Sequence, residues 1–237
     1  METAVEGMRI ETADGVATAT LARAPENLLT GAICRALTEL LLRPPPQLHV
    51  LRLRAEGRVF CLGRERVAED VGSLRDEVQA LVALNLALRD SPVVSVAEVH
   101  GDAAGFGVGL AALCDVTVAA ASARFWFPEV EIDLAPTVVL SWLPRLVGTK
   151  TAVHLTATGR RVDAAEAARL GLVTSVVDDG DLATTVDIEV ERLRGLSPHV
   201  HGQIKAFTAQ TADLTTEQAY VLATERLILG SMARRRE

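Results

Sequence analysis

Three carboxylates, Glu129, Glu131 and Asp133, stand in an otherwise apolar run, Phe125-Trp126-Phe127-Pro128-Glu129-Val130-Glu131-Ile132-Asp133-Leu134-Ala135-Pro136. Carboxylates avoid apolar surroundings unless they are paired or employed. Desolvation in such a place raises a carboxyl pKa towards neutrality, which suits a group that must take a proton and give it back. If the stretch is extended, the alternation at 129, 131 and 133 sets all three side chains on one face. A solvated edge or a first-turn helix charge is the plainer reading of the same residues.

Upstream, His100-Gly101-Asp102-Ala103-Ala104-Gly105-Phe106-Gly107-Val108-Gly109-Leu110 sets four glycines between a strand pattern and an apolar helical one. Where Cβ atoms are missing, a ligand or a second backbone can approach closely, and free N–H groups at a helix start favour negative charge. The turn therefore suits a phosphate or an oxyanion, or it is a tight packing corner. It lacks the G-x-x-x-x-G-K-[ST] pattern of a P-loop, and it lies too far along the chain for a dinucleotide fingerprint.

Cys34, Cys61 and Cys114 are odd in number and widely spaced, with no C-x-x-C pair. They read as reduced thiols of a cytoplasmic protein, and no zinc site is expected. No histidine is placed by sequence to activate Cys61, so core filling is its simplest role. His100 reads as structural, His199 and His201 as a solvated helix start after Ser197-Pro198, and Asp115 as a local cap. No histidine pair shows metal spacing, so no metal is expected.

Elements alternate around these residues. Residues 8–22 suggest one or two short strands about the turn at Asp14-Gly15. A helix is expected from about Thr30 to Leu42, a strand at His49 to Leu53, a helix over residues 64–89 and a strand at Val93 to Val99. Strands follow at Val116 to Ala119 and Arg124 to Phe127, with helical patterns at Val138 to Val147 and Thr149 to Thr158. Beyond Ala164 come a helix, a strand at Val173 to Val177, and helices at 182–195 and 199–230. This order implies an α/β core over residues 1–180 and a helical region over 181–237.

Composition narrows the function classes. The chain has 237 residues, 49% of them apolar, with 24 Lys+Arg against 31 Asp+Glu and a formal charge of −7. A core of ordinary size is affordable, in one large domain or two small ones. No basic excess exists to neutralise phosphates, so no nucleic-acid partner is expected. Glu2, Glu6 and Arg9 interrupt the start, where a secretory leader needs an apolar stretch, and the longest apolar runs fall short of a membrane span. A soluble cytoplasmic protein with no membrane partner is expected, and Arg234 to Arg236 read as a solvated end.

The ordered set of segments resembles the crotonase (enoyl-CoA hydratase/isomerase) superfamily. The likeness begins at Val59-Phe60-Cys61-Leu62-Gly63-Arg64, where Glu65 replaces the family's Asp, and runs through the Gly-rich turn to Leu113-Cys114-Asp115. It continues with Arg124-Phe125, Pro128-Glu129-Val130 and Leu143-Pro144-Arg145-Leu146-Val147-Gly148. Thr156-Ala157-Thr158-Gly159-Arg160-Arg161-Val162, Ala164 to Ala167, Gly171-Leu172-Val173 and Ser197-Pro198 complete it.

The resemblance implies a crotonase-like spiral of ββα units, with C-terminal helices that mediate trimerisation, as a homotrimer or hexamer. It implies an acyl thioester ligand, on coenzyme A or on an acyl carrier protein, and no cofactor beyond the coenzyme A of the substrate. The thioester carbonyl is then held by the backbone N–H groups of Arg64 and Phe106, with Cys61, Leu62, Gly63, Gly105, Pro128 and Trp142 lining the substrate. Of the two glutamates that serve hydration in the family, the second matches Glu129 and the first falls on Gly109. One base beside an oxyanion hole suffices for double-bond isomerisation, with Glu129 as that base. Asp133, where the family often has Gly, and Glu131 are the carboxylates that would compensate for Gly109 in a hydratase or dehydratase. A decarboxylase and a non-catalytic partner subunit are the remaining alternatives. Arg58, Arg64, Arg66 and Lys205 are the candidate contacts to CoA phosphates.

Overall fold

The structure is a computed structural model, and it describes residues 2–234; Arg235, Arg236 and Glu237 lie outside the described residues. Strand β1 (Glu2–Val5), which the sequence reading omits, pairs antiparallel with β2 (Met8–Ala13), and β2 pairs with β3 (Val16–Leu21). Asp14 and Gly15 join β2 to β3 with φ of 48° and 79°, the left-handed pair that a two-residue hairpin loop requires. Helix α1 (Gly31–Leu42) starts where the Thr30 hydroxyl accepts from the Ile33 N–H, and it buries Ile33, Cys34, Leu37 and Leu41.

Next come β4 (Val50–Ala55), β5 (Val59–Cys61) and α2 (Val71–Asp90). The sequence pattern starts α2 at about residue 64, but the helix begins seven residues later. Asp70 caps it: its carboxylate accepts from the Gly72 and Ser73 N–H groups at 2.7 and 3.0 Å, and Ser73 Oγ accepts from the Asp70 N–H. Residues 62–65 are bound instead to the segment around Leu29, so they cannot wind into the helix.

The chain then runs through β6 (Val94–Val99), β7 (Asp102–Ala104), α3 (Phe106–Ala112), β8 (Val116–Ala120) and β9 (Arg124–Trp126). A 3-10 turn at Pro128–Ile132 leads to α4 (Thr137–Leu140), α5 (Leu143–Val147), α6 (Thr149–Thr158), β10 (Val162–Asp163) and α7 (Ala164–Leu170). The end comprises β11 (Ser175–Val177), α8 (Leu182–Arg194), α9 (Pro198–Thr211) and α10 (Thr216–Arg234). The helical pattern read over 199–230 is thus two helices, broken at residues 212–215.

A mixed sheet runs in the order β1-β2-β3-β4-β6-β8-β11, parallel from β3 onward. Helices α1 and α2 cover one face over the main core. On the other face α8 packs Val186 and Val190 over Val50, Val96 and Val118. There Glu98 is buried in β6 and satisfied by Arg52, 2.6 Å away, which also reaches Asp187 of α8 at 2.7 Å. A second sheet runs β10-β9-β7-β5, with β5, β7 and β9 parallel. Among the described residues no helix is long and apolar enough to cross a membrane.

Candidate active site

Each of the parallel strands β5, β7 and β9 ends where one of the segments singled out in the sequence begins: residues 62–65, the Gly105 turn, and the turn at Pro128–Ile132. The site therefore lies off the carboxyl ends of adjacent parallel strands, where successive connections converge in α/β folds. Gly107 allows the first two segments to touch: a Cβ there would stand 2.0 Å from the Cys61 carbonyl oxygen. No residue with a side chain fits at position 107.

The 62–65 loop is held from its outer side. The Leu29 N–H donates to Gly63 O at 3.0 Å and the Glu65 N–H to Leu29 O at 2.9 Å, a single parallel bridge between Leu29 and Arg64. In such a bridge the intervening residue turns its own N–H the opposite way. The Arg64 N–H accordingly donates to no acceptor among the described residues. Buried Asn27 fixes the turn from β4 into β5, just before that loop, by donating to Glu56 O and Val59 O at 2.8 and 2.9 Å. Glu65, the residue that departs from the family's Asp, pairs with Arg23. Cys61 is buried, its thiol contacts Gly63 O at 3.3 Å, and burial pushes its pKa up to about 12, so it fills the core beneath the loop and is no nucleophile.

The second free donor is the Phe106 N–H. As the first residue of α3 it has no intrahelical acceptor, and Gly105 before it has no side chain to cap it. Gly105 sits at φ 52° and ψ −121°, a conformation open to glycine, and its own N–H is fixed to Trp126 O at 2.9 Å. The Phe106 ring is buried in the core, leaving the N–H side of the residue clear.

The third segment brings the acid. The chain from 128 to 132 is a 3-10 turn rather than the extended run needed to align three carboxylates, so the expectation of one shared face is corrected. Glu129 alone turns to the glycine turn, with Oε1 2.9 Å from where a Cβ of Gly105 would sit; the Pro128 ring packs beside it. Its Oε2 is buried and has no hydrogen-bond partner. Burial pushes the carboxyl pKa above the ordinary glutamate range, and the positive charges of Arg66 and Arg64 oppose that shift only in part. Glu131 is exposed and approaches Gly159, and Asp133 is exposed in the left-handed conformation that ends the turn. The structure does not bring either to Gly105.

Gly109 lies one turn beyond Gly105 on α3, and its open face is filled by Trp142, whose Cζ2 is 3.3 Å from where a Cβ would be. Trp142 is half-buried and meets the Phe127 ring edge to face, centroids 6.4 Å apart. Leu62 is half-buried, its N–H bound to Glu26 O at 2.9 Å.

Of the cations expected at a phosphate, Arg58 and Arg66 are exposed, whereas the Arg64 side chain is held by Glu77 at 2.9 Å. Lys205 is removed from that group. Its Nζ donates to Leu88 O and Val93 O, both at 2.9 Å, and to Asp115 at 2.6 Å, so it pins α9 to the body. Asp115, expected as a local cap, joins that pin to Ser95. His100 is half-buried with Nε2 3.1 Å from Gly57 O, and His201 is buried rather than solvated. Glu77 and Asn27 escape sequence reading: each holds a segment distant along the chain, and neither carries a local motif.

A family model described as Enoyl-CoA hydratase/isomerase matches residues 11–235. The "Probable enoyl-CoA hydratase" of Rhodobacter capsulatus is 34% identical over 240 residues, spanning 97% of this chain and 92% of that protein. An enoyl-CoA hydrotase/isomerase family protein from Silicibacter pomeroyi superposes with a TM-score of 0.90 at 30% identity, covering 95% of this chain and 98% of that one. A protein from Thermobifida fusca YX, solved in complex with CoA, superposes with a TM-score of 0.85 at 27% identity, covering 96% and 95% of the two chains.

Proposed function

The chain is an enzyme of the enoyl-CoA hydratase/isomerase family, and from that premise we propose that it moves a carbon–carbon double bond within an enoyl thioester, with Glu129 as its one base. The observation that carries this reading is the half-buried Glu129 carboxylate, one oxygen unpartnered, beside the unpaired N–H groups of Arg64 and Phe106. A 3-enoyl thioester whose carbonyl oxygen accepts from those two groups loses a Cα proton to Glu129. The electron pair spreads over the dienolate and onto the thioester oxygen, and each donor contributes roughly 3–4 kcal/mol to such an anion. Glu129 then returns the proton at Cγ, leaving the double bond between Cα and Cβ. Burial favours this cycle, because a carboxyl pKa above its usual range makes the acid a better base.

Coenzyme A as the carrier is supported by the similar protein solved with CoA bound, and exposed Arg58 and Arg66 suit its phosphates. A carrier-protein thioester would place the same carbonyl in the same hole. The helical end supports assembly into a homotrimer or hexamer: Val200, Ile204 and Leu227 are exposed in a groove of about 1210 Å³ between α9 and α10, and Tyr220 and Ile228 are exposed elsewhere on α10.

Replacing Glu129 by Gln tests the reading. Turnover of a 3-enoyl-CoA is expected to fall by roughly 10²–10⁴-fold while thioester affinity persists; unchanged turnover removes Glu129 from the mechanism. Hydration is the second reading, favoured by the activity named for the Rhodobacter relative. It would need a second proton-transfer group, and the structure brings neither Asp133 nor Glu131 to Gly105 for that role. Supplying trans-2-enoyl-CoA and 3-enoyl-CoA separately, and following hydration against isomerisation, distinguishes the two.

A further inference from the structure

We infer that Trp142 is the residue that commits this site to relaying a proton rather than adding water; the inference rests on the proposed role of Glu129. Gly105 caps α3 from outside the helix and Gly109 lies in its first turn, four residues on, so neither position carries a side chain of its own at the start of α3. Two groups from elsewhere take those places. Glu129 Oε1 stands 2.9 Å from the Cβ position of Gly105, and the Trp142 indole stands over Gly109, with Cζ2, Cε2 and Nε1 at 3.3, 3.8 and 3.9 Å from its Cβ position. Carboxylate and indole edge therefore meet the same short stretch of chain, the one at the cap of α3 and the other within its first turn.

The ring is fixed in place. Trp142 precedes α5, its N–H donates to Val139 O at 3.1 Å and its carbonyl accepts from Arg145 at 3.0 Å. Its contact with Phe127 ties it to the turn that carries Glu129, two residues further on. The indole is thus packed against the segment that carries the base.

Water addition to a 2-enoyl thioester needs a water molecule beside Glu129. Its oxygen attacks Cβ, the double-bond pair moves towards the thioester oxygen, Glu129 takes the water's proton, and Cα receives a proton in turn. A water held for that step needs room and two to four polar partners. The indole edge takes the room over Gly109, in the first turn of the helix whose start Glu129 faces, and offers one N–H donor and no acceptor. With that volume filled, the proton on Glu129 has Cα and Cγ of the substrate as its destinations.

The experiment compares wild type with Trp142→Ala, Trp142→Leu and Trp142→Phe, each checked for native circular dichroism. A 3-enoyl-CoA is supplied in ¹⁸O-labelled water, and mass spectrometry reads the ratio of labelled 3-hydroxyacyl-CoA to 2-enoyl-CoA. That ratio does not depend on the fraction of folded enzyme, so a purely structural role would not move it. The ratio is expected to rise by about tenfold or more in Trp142→Ala and Trp142→Leu, the scale on which one altered pocket group discriminates, and to stay near wild type in Trp142→Phe. An unmoved ratio in both the Ala and Leu variants, with wild type isomerising, overturns the inference and leaves Glu129 as the base. A wild-type enzyme that is inert on this substrate, or hydrates as readily as it isomerises, overturns the single-base reading and this inference together.

Discussion

Replacing Gly105 by Ala perturbs the base without touching it. Gly105 sits at φ 52° and ψ −121°, and holding a residue with a side chain in so sparse a region costs on the order of 1–3 kcal/mol. For a chain of this length each kcal/mol lowers Tm by about 2–4 °C, so a loss of roughly 2–12 °C is expected. The new methyl would stand 2.9 Å from Glu129 Oε1, about 0.5 Å inside the 3.4 Å where ordinary contact begins. Because the obstructing atom ends a flexible side chain, the carboxylate yields at little energetic cost, and what changes is its position. A 1 Å misplacement at a reacting group costs on the order of 100-fold, so half of that predicts a fall of about tenfold in kcat. KM should change little, since the thioester is held by the backbone donors. Thermal melting with steady-state kinetics on a 3-enoyl-CoA measures both effects. A variant that melts lower yet retains full kcat would refute the reasoning, because a displaced base cannot leave proton transfer intact.

Four further outcomes follow from the same geometry. Glu129 acts ionised and burial raises its pKa, so kcat should climb with pH along an acid limb whose midpoint lies above the ordinary glutamate value of 4.5. The linked stability has the opposite sign: ionising Glu129 costs the folded state free energy above that midpoint, so Glu129→Gln should melt higher than wild type at neutral pH, with the gap closing as the pH falls to the ordinary carboxylate range. Gly107→Ala should fail to reach the native state or melt far below Gly105→Ala, because its methyl meets the Cys61 carbonyl at 2.0 Å and backbone cannot move aside; Gly180→Ala, with nothing within 4 Å, is the control. Lys205→Met removes the ammonium that donates to Leu88 O, Val93 O and Asp115, leaving Asp115 with Ser95 alone, and a loss of roughly 1–3 kcal/mol is expected, with hydrogen exchange rising first across residues 198–211.

The sequence by itself determined the alternation of strands and helices, the helical end, the glycine turn and the three carboxylates embedded in an apolar run. These are local properties: hairpin and capping chemistry act within a few residues, and a carboxylate among apolar neighbours is conspicuous wherever the chain folds. The ordered set of short motifs also pointed to the right family, since their order survives changes in the residues between them. Only the tertiary structure decided which of Glu129, Glu131 and Asp133 faces the glycine turn, because a 3-10 turn fans out side chains that an extended strand would align. It also took Lys205 out of the phosphate contacts, made Glu77 a support of the loop at Arg64 and Asn27 a tie on the turn before it, and laid Trp142 over Gly109. Each of those pairings joins positions from 13 to more than 100 residues apart in the chain, and packing, which depends on distance in space, leaves no periodic trace along it.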